Sequence, residues 1–289
     1  AADPWGAGAN KVVHLLYEDR VCALIGSIDG DSTHLAEQIV TKARATLISP
    51  IATDPTLNYI RIPWMFRLAP DDERQADRIA ERIESRKAKR VILVHSTRHD
   101  DRIGADEMLE ALLKRQRPPV RKYVFDVPLL EPEPIAERIQ SASPDAVILW
   151  CGPEDAQKIL VNLGSRHIPY PIFGPLCLNV PQFRSLVVSM RHDVDLITVW
   201  EDSTPVASMF SRVFAEEYDK PADYAAAYAY DAVGLIVKAV RSVGLNRADI
   251  RDAIATGSGY EGVTGVIEWD NGGGNRGSIR LETISQSQR

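Results

Sequence analysis

Short, strongly apolar segments alternate along this sequence with longer amphipathic ones, and that alternation limits the possible folds more than any other feature. Residues 21–25, 91–94 and 146–149 are the clearest apolar segments, and each has the length of one strand. A strand without polar alternation is typical of a parallel sheet that is covered on both faces. The sequence therefore predicts an α/β fold in which each sheet is mainly parallel and is flanked by helices.

Helical periodicity and strand-like runs place the predicted elements in a regular order. The predicted helices cover residues 6–18, 33–42, 72–86, 103–115, 134–141, 153–164, 208–219, 224–243 and 247–256. The predicted strands cover residues 21–25, 47–50, 66–67, 90–95, 121–125, 146–150 and 171–173. The end of the sequence differs, since residues 265–269 and 278–283 flank a Gly-rich turn and predict an antiparallel hairpin.

The length and charge of the chain exclude several classes of function. At 289 residues it exceeds the usual span of about 100–200 residues per domain, which favours two lobes or one large α/β unit. The net charge is -6 and the lysines and arginines are scattered, so we expect no nucleic-acid partner. No apolar run approaches the roughly 18 residues that span a bilayer, so we expect no membrane insertion by this chain.

The residue types that commonly carry catalysis or bind metals form no recognised pattern in the sequence. Cys22, Cys151 and Cys177 lie far apart without a C-x-x-C pair, and we interpret them as small core residues. The six histidines are unclustered, and the sequence motifs of serine hydrolases, zinc proteases and P-loop proteins are absent. We therefore expect no enzymatic activity, no metal and no cofactor, with a hydrolase built on a similar sheet as an alternative.

Six short strings in a fixed order carry a resemblance to a known family. They are VCALIG at 21–26 with Ser32 and Thr33 after it, LISPIAT at 47–53, Phe66-Arg67 before Asp72, Phe173-Gly174-Pro175, AYDA at 229–232 and GVIEWD at 265–270. No single string is decisive. Their order along nearly the whole chain resembles that of the leucine/isoleucine/valine-binding proteins, which are type I periplasmic receptors of ABC transporters.

The resemblance implies a two-lobed, type I periplasmic-binding-protein fold in which the chain passes between the lobes several times. One lobe would hold residues 1–72 and 200–264, and the other residues 73–199 and 265–289, with hinges near residues 72, 200 and 265. The ligand would lie in the cleft between the lobes, at the carboxyl ends of the strands, and would favour hinge closure.

The resemblance also implies a function. We expect a periplasmic or otherwise extracytoplasmic receptor that captures a small polar metabolite, namely an amino-acid-like compound, an amide or a carboxylate. Its expected partner is an ABC-type membrane permease, and the alternative is a ligand-sensing regulatory domain of the same fold attached to a signalling protein. Members of the family open with a strand, helix and strand before the helix that begins here near Pro4, so we expect that roughly the first βαβ unit is missing or that a partner supplies the strand.

The loop after the first strand is the first candidate for a ligand contact. Gly30, Asp31 and Ser32 stand between a strand and a helix, where backbone amides and a hydroxyl are positioned to receive an anionic or carbonyl oxygen. Ser32 or Thr33 can instead simply cap the helix. Asp29 and Asp31 would repel an anion unless their carboxylates turn outward, which weakens the carboxylate interpretation.

Further candidates follow the next strands. By resemblance, Ile51, Ala52 and Thr53 contribute backbone groups and a hydroxyl to the ligand, although the Thr53 hydroxyl can equally bond to the backbone of its own turn. Asp72 stands where the family places an acid near the ammonium group of an amino-acid ligand. The alternative is that Asp71 or Asp72 caps the helix that follows.

The sequence departs from the amino-acid binders at other positions. Asp100 or Asp101 replaces a family tyrosine, and Asp101 is retained as a candidate ligand contact. The acid that follows the Gly-Pro pair in the family is replaced by Leu176 and Cys177, which puts aliphatic amino-acid specificity in doubt because a buried ammonium group needs a carboxylate. Trp150 and Trp200 are candidates for stacking on a flat ligand, with core packing as the alternative for both.

Overall fold

A computed structural model of the chain describes residues 4–164, 170–190, 192–257 and 259–285. The chain divides into two compact units. Unit 1 comprises Ala1–Asp71 and Val199–Ser278, and unit 2 comprises Asp72–Thr198 and Ile279–Arg289. Residues 265–278, which the sequence prediction assigned to the second lobe, therefore belong to unit 1, because Gly265–Ile267 pairs with a strand of that unit.

Helices and strands alternate through most of the described chain. The helices are α1 (Pro4–Val13), α2 (Gly30–Ala43), α3 (Thr56–Tyr59), α4 (Asp72–Ser85), α5 (His99–Lys114), α6 (Glu133–Ser141), α7 (Pro153–Gly164), α8 (Pro181–Ser189), α9 (Pro205–Tyr218), α10 (Tyr224–Val243) and α11 (Arg247–Thr256). A π-helical segment, His14–Glu18, continues α1, and a 3-10 turn covers Leu176–Leu178.

The strands are β1 (Ala23–Ile25), β2 (Thr46–Ser49), β3 (Met65–Arg67), β4 (Val91–Ser96), β5 (Arg121–Phe125), β6 (Ala146–Trp150), β7 (Ile172–Gly174), β8 (Val194–Thr198), β9 (Tyr260–Gly262), β10 (Gly265–Ile267) and β11 (Arg280–Ile284). In unit 1 they form a parallel sheet of order β1-β2-β3 and the antiparallel pair β9 and β10. In unit 2 they form one sheet of order β11-β8-β7-β6-β4-β5, in which β11 alone runs antiparallel.

Each unit has its own hydrophobic core. In unit 1, α1, α2 and the three-stranded sheet bury Leu16, Val40, Leu47 and Met65. In unit 2, helices pack on the long sheet, whose strands β4 and β6 are buried along their whole length, as expected for parallel strands that are covered on both faces. The predicted α/β class with mainly parallel, helix-flanked sheets is confirmed.

The first strand is shorter and more exposed than the sequence predicts. Residues 21–25 suggested a strand buried on both faces, whereas β1 covers only Ala23–Ile25 and leaves Ile25 40% exposed. Among the described strands β1 pairs with β2 alone, so it occupies an edge of its sheet. An edge strand loses burial because one side has no neighbouring strand.

The predicted pairing of the terminal hairpin is wrong, although its turn forms an antiparallel bridge between Trp269 and Asn275. Residues 265–269 and 278–283 do not pair with each other, because β10 pairs with β9 in unit 1 and β11 pairs with β8 in unit 2. Strand β11 is held there by Arg184, whose two terminal nitrogens lie 2.8 and 2.9 Å from the Glu282 carboxylate, and by a hydrogen bond from the Thr283 hydroxyl to Asp195. The prediction also omitted β8, β9, α8 and the short α3.

The described helices give no sign of a membrane-crossing segment, since none of them combines sufficient length with sufficient apolar character.

One buried carboxylate organises the region around β9 and β10. Asp231 on α10 is fully buried, and its side chain accepts hydrogen bonds from the Val263 amide at 2.8 Å, from the Thr264 amide at 2.9 Å and from the Thr264 hydroxyl. Burial raises the pKa of Asp231, and these donors partly offset that effect. The neighbouring Gly262 leaves room for the carboxylate, because a Cβ there would lie 2.3 Å from Oδ2 of Asp231.

We predict that Asp231→Ala lowers the free energy of unfolding by about 3 kcal/mol, because the buried Val263 amide and the half-buried Thr264 amide lose their acceptor. Urea denaturation measures the change. Asp252→Ala, at an exposed carboxylate on α11, is the matched control and is expected to change stability by less than about 0.5 kcal/mol. Equal effects of the two substitutions would contradict the organising role of Asp231.

Candidate functional site

The carboxyl ends of the parallel strands β1, β2 and β3 meet at one edge of the unit 1 sheet. In open α/β sheets this edge is the usual place for a ligand. Residues 26–32 follow β1, residues 50–55 follow β2 and residues 68–71 follow β3. The predicted contacts Gly30, Asp31, Ser32, Ile51, Ala52 and Thr53 therefore all lie at this edge.

The loop after β1 is closed by Asp29. This residue caps α2: its carboxylate accepts the Ser32 amide at 2.7 Å and the Ser32 hydroxyl at 3.1 Å. Its carbonyl accepts the buried Thr33 hydroxyl at 2.6 Å. The predicted cap by Ser32 or Thr33 is therefore wrong, since both hydroxyls donate to Asp29, whose short side chain reaches the first free amides of the helix.

That arrangement has consequences for the predicted ligand contacts in the loop. Both donors of Ser32 already serve Asp29, so a ligand would have to compete for them. Gly30 is buried and Asp31 is half-buried in the first turn of α2. A ligand contact by Gly30, Asp31 or Ser32 remains a prediction.

The loop after β2 offers donors that no described residue uses. The amides of Ile51 and Thr53 and the hydroxyl of Thr53 have no hydrogen-bond partner within the described part of the chain, and both residues are half-buried. The alternative hydrogen bond, from the Thr53 hydroxyl to the backbone of its own turn, is absent among the described residues. Buried Ala52 between them donates its amide to the Ser49 hydroxyl at 3.3 Å.

Hydrogen bonds from neighbouring strands hold this loop in place. The Ser49 hydroxyl donates to the Ser27 carbonyl at 2.8 Å and so joins the ends of β2 and β1. Arg67, which is 2% exposed at the end of β3, donates to the Asp54 carbonyl at 2.9 Å and to the Asp71 carboxylate at 2.8 Å. The three strand ends are therefore cross-linked around Thr53.

His34 ties α2 to the same loop. Its Nε2 lies 2.8 Å from the Thr56 hydroxyl and 3.5 Å from the Asp54 carboxylate, and its Nδ1 lies 3.2 Å from Glu37. Asp54 is fully buried and also accepts the amide and the hydroxyl of Thr56. Hydrogen bonds to Asp54 and then to Glu37 raise the pKa of His34 to about 10, so the ring is an imidazolium at neutral pH.

In unit 2, Asp101 also links two strand ends. It is 8% exposed at the start of α5, accepts a hydrogen bond from the Ser96 hydroxyl at the end of β4, and accepts the backbone amide of Gly152 after β6. Burial raises the pKa of Asp101, against the effect of these donors. Its side chain therefore serves the interior of unit 2, and a ligand contact by Asp101 remains a prediction.

Asp72 lies close to the segment after β7. It is the first residue of α4 and 2% exposed, and its carboxylate accepts Gln75 Nε2 at 3.4 Å. The side-chain Oε1 of Gln75 accepts the Leu176 amide at 2.8 Å. At Leu176 and Cys177, where the resemblance implies an acid in amino-acid binders, the structure thus has a buried aliphatic side chain and a thiol that points to the Cys151 carbonyl at 3.6 Å.

The two candidate tryptophans lie in different surroundings. Trp150 is 2% exposed and packs on α5, where a Cβ at Gly104 would lie 2.0 Å from its Nε1. The structure therefore gives Trp150 an interior position rather than a stacking surface. Trp200 belongs to unit 1, donates its Nε1 to the Val263 carbonyl at 3.1 Å and meets Phe210 edge to face at 6.1 Å.

A sequence profile of the periplasmic binding protein family matches residues 3–280. The chain belongs to this family. The match covers both units and confirms the resemblance that the ordered strings indicate. Members of the family and the structures compared below are binding proteins.

Solved structures of periplasmic binding proteins share this fold. The branched-chain amino acid transporter substrate-binding protein LivJ from Streptococcus pneumoniae, in complex with isoleucine, has a TM-score of 0.87 and 22% identity, covering 98% of this chain and 82% of that one. The leucine-binding protein LivK from Thermotoga maritima has a TM-score of 0.84 and 19% identity, covering 99% and 86%. A solute-binding protein of an ABC transporter from R. palustris, in complex with benzoate, has a TM-score of 0.86 and 17% identity, covering 97% and 79%.

One curated relative comes from a plant. Glutamate receptor 3.7 of Arabidopsis thaliana is 28% identical over 150 residues, which make up 50% of this periplasmic binding protein. The matched region spans 16% of that receptor's length.

We predict that His34 makes stability depend on pH between 6.5 and about 10. Because the folded-state pKa of His34 exceeds its ordinary value, its contribution is fully present below pH 6.5 and is lost as the pH rises through about 10. His34→Gln should lower the free energy of unfolding at pH 6 by about 1 to 2 kcal/mol, a figure reduced for the 32% exposure of the ring.

Urea denaturation of the natural protein and the variant at pH 6, 8 and 10 measures this dependence. The difference between the two should shrink steadily toward pH 10. His14→Gln, at a ring that is 56% exposed, is the control. A difference for His34→Gln that stays constant from pH 6 to pH 10 would show that the imidazolium charge does not stabilise unit 1.

Proposed function

We propose that this chain is an extracytoplasmic solute receptor that captures a small polar metabolite and delivers it to an ABC-type membrane permease. The observation that carries the proposal is the loop after β2, where the amides of Ile51 and Thr53 and the Thr53 hydroxyl lack partners among the described residues. Buried or half-buried donors of this kind cost free energy unless a ligand or water accepts from them.

The donors favour a ligand with an oxygen acceptor. Two amides and one hydroxyl, held in a loop that Ser49 and Arg67 fix, suit a carboxylate or an amide carbonyl. Such an arrangement needs little reorganisation on binding, which lowers the entropic cost of capture. We therefore propose a ligand that presents a carboxylate or a carbonyl group to Thr53.

The ligands bound in two of the similar structures indicate which classes of compound to consider. The LivJ structure contains isoleucine and the R. palustris structure contains benzoate, so one fold accommodates carboxylates with and without an ammonium group. In this chain Leu176 and Cys177 supply no carboxylate after Gly174 and Pro175. The residues at these positions support an amino-acid-like compound, an amide or a simple carboxylate as the ligand. They do not favour an aliphatic amino acid over the other compounds.

A second candidate is a ligand-sensing domain that regulates an attached or associated signalling protein. The similarity to a plant glutamate receptor over half of this chain supports it. Both candidates require capture of a small ligand, and they differ in the protein that responds. Association with a permease, measured by co-purification from membranes that carry it, favours transport, whereas a response of a signalling partner favours sensing.

The proposed capture is tested by thermal unfolding of the full chain against isoleucine, leucine, benzoate, short aliphatic carboxylates and their amides. A true ligand at about 100 times its dissociation constant should stabilise the fold by about 2.7 kcal/mol. Stabilisation by none of these classes, in a protein that unfolds cooperatively, would contradict the receptor proposal.

We predict that Thr53→Val weakens binding of the stabilising compound about tenfold, because one hydrogen bond to the ligand is lost while the volume of the side chain is kept. Isothermal titration calorimetry measures the affinity. Thr41→Val is the matched control, since the Thr41 hydroxyl donates within α2 to the Glu37 carbonyl at 2.7 Å. Equal affinities of the natural protein and Thr53→Val would remove Thr53 from the site.

A further inference from the structure

A basic groove lies on unit 2 between β5 and α6. It has a volume of about 820 Å³, and Arg90, Arg121 and Arg138 line it together with Tyr123, Glu137 and Ser141. Arg90 precedes β4 and Arg121 begins β5, so the groove opens at the amino ends of these strands. That edge is opposite to the carboxyl ends at which the family ligand is expected, and the inference therefore does not depend on the proposed function.

The three guanidinium groups in the groove form no ion pair with any described residue. Arg121 donates only to the neighbouring Val120 carbonyl at 3.4 Å, Arg90 donates to the Ala142 carbonyl, and the Arg138 guanidinium has no hydrogen bond within the described ranges. By contrast, Arg86, Arg115 and Arg184 of unit 2 each have a carboxylate partner 2.8 Å away. Three guanidinium groups without a carboxylate partner among the described residues therefore line one groove.

The backbone beneath these arginines is well anchored. The Asp145 carboxylate accepts the amides of Lys89 and Arg90 at 2.8 and 2.9 Å, which fixes the entry to β4. The Tyr123 hydroxyl donates to the Arg138 carbonyl at 3.3 Å and joins β5 to α6. The backbone that carries Arg90 and Arg138 is thus fixed before binding, so little backbone entropy is lost when these side chains hold a ligand.

We propose that this groove binds a phosphate-bearing anion, either as a free compound or as a lipid headgroup. Three guanidinium groups face one carboxylate, that of Glu137, so the lining carries an excess of positive charge in a chain whose net charge is -6. Guanidinium groups bind phosphate oxygens through paired, charge-assisted hydrogen bonds. A phosphate monoester carries nearly two negative charges at neutral pH and a lipid phosphodiester carries one, and both present oxygens that paired guanidinium donors can hold.

Strand alternation provides a matched pair of variants. Arg121 and Tyr123 point to the face of the sheet that α6 covers, whereas Lys122 points to the other face, where its amine lies 3.3 Å from Asp106 on α5. Arg121→Gln and Lys122→Gln therefore remove the same charge from adjacent positions on opposite faces. Arg138→Gln removes a second charge from the groove itself.

Two assays on the full chain test the proposal and separate the two sources of phosphate. Calorimetric titration with inorganic pyrophosphate at low ionic strength tests free anions, and co-sedimentation with phosphatidylglycerol vesicles, against phosphatidylcholine vesicles, tests headgroups. We expect binding in at least one assay, weakened about five- to tenfold by Arg121→Gln and by Arg138→Gln. Lys122→Gln should change it by less than about twofold.

The pattern of binding decides the outcome. Binding of pyrophosphate supports a free anion, and binding to phosphatidylglycerol alone supports a membrane surface. Absence of binding in both assays would overturn the proposal. So would an equal loss with Lys122→Gln and Arg121→Gln, because that result would indicate general attraction to a charged surface instead of a defined groove.

Discussion

The candidate site of unit 1 depends on the hydrogen bonds that the buried Arg67 side chain donates to Asp54 and Asp71. Its guanidinium is buried at the end of β3 and bridges the Asp54 carbonyl and the Asp71 carboxylate. Its backbone also exchanges hydrogen bonds with Gly273 and Asn275, so the segment after β10 is held on the same strand. A buried cation is stable only when acceptors compensate its charge, and meeting that requirement joins the loop after β2 to the segment after β3.

The sequence predicts the fold wherever strands are buried on both faces. The apolar runs of β4 and β6 are strong signals because the parallel sheet of unit 2 removes the need for polar alternation. Prediction fails where pairing partners are distant in sequence. Strand β11 resembled half of a local hairpin, yet its partner β8 lies more than 80 residues earlier, and Glu282 and Thr283 find Arg184 and Asp195 only in the folded unit.

In the candidate site too, some features could be predicted from the sequence and others could not. The position of Thr53 at a strand end follows from the order of elements, and the ordered strings identify the family. Asp29, a preferred N-cap residue three positions before Ser32, is a local signal of the observed cap that the sequence prediction missed, whereas no local signal reveals that His34 reaches Asp54 across 20 positions of sequence. Sequence patterns locate strand ends, whereas hydrogen-bond partners depend on side-chain directions that are set by packing.

The amides in the loop after β2 have an evolutionary consequence. Main-chain donors at Ile51 and Thr53 are present whatever side chains occupy these positions, provided that neither becomes proline. Under the proposed function, these two donors would therefore hold an oxygen atom of the cargo while substitutions elsewhere change the rest of the pocket. A receptor of this kind could then change its cargo while the loop after β2 keeps its conformation.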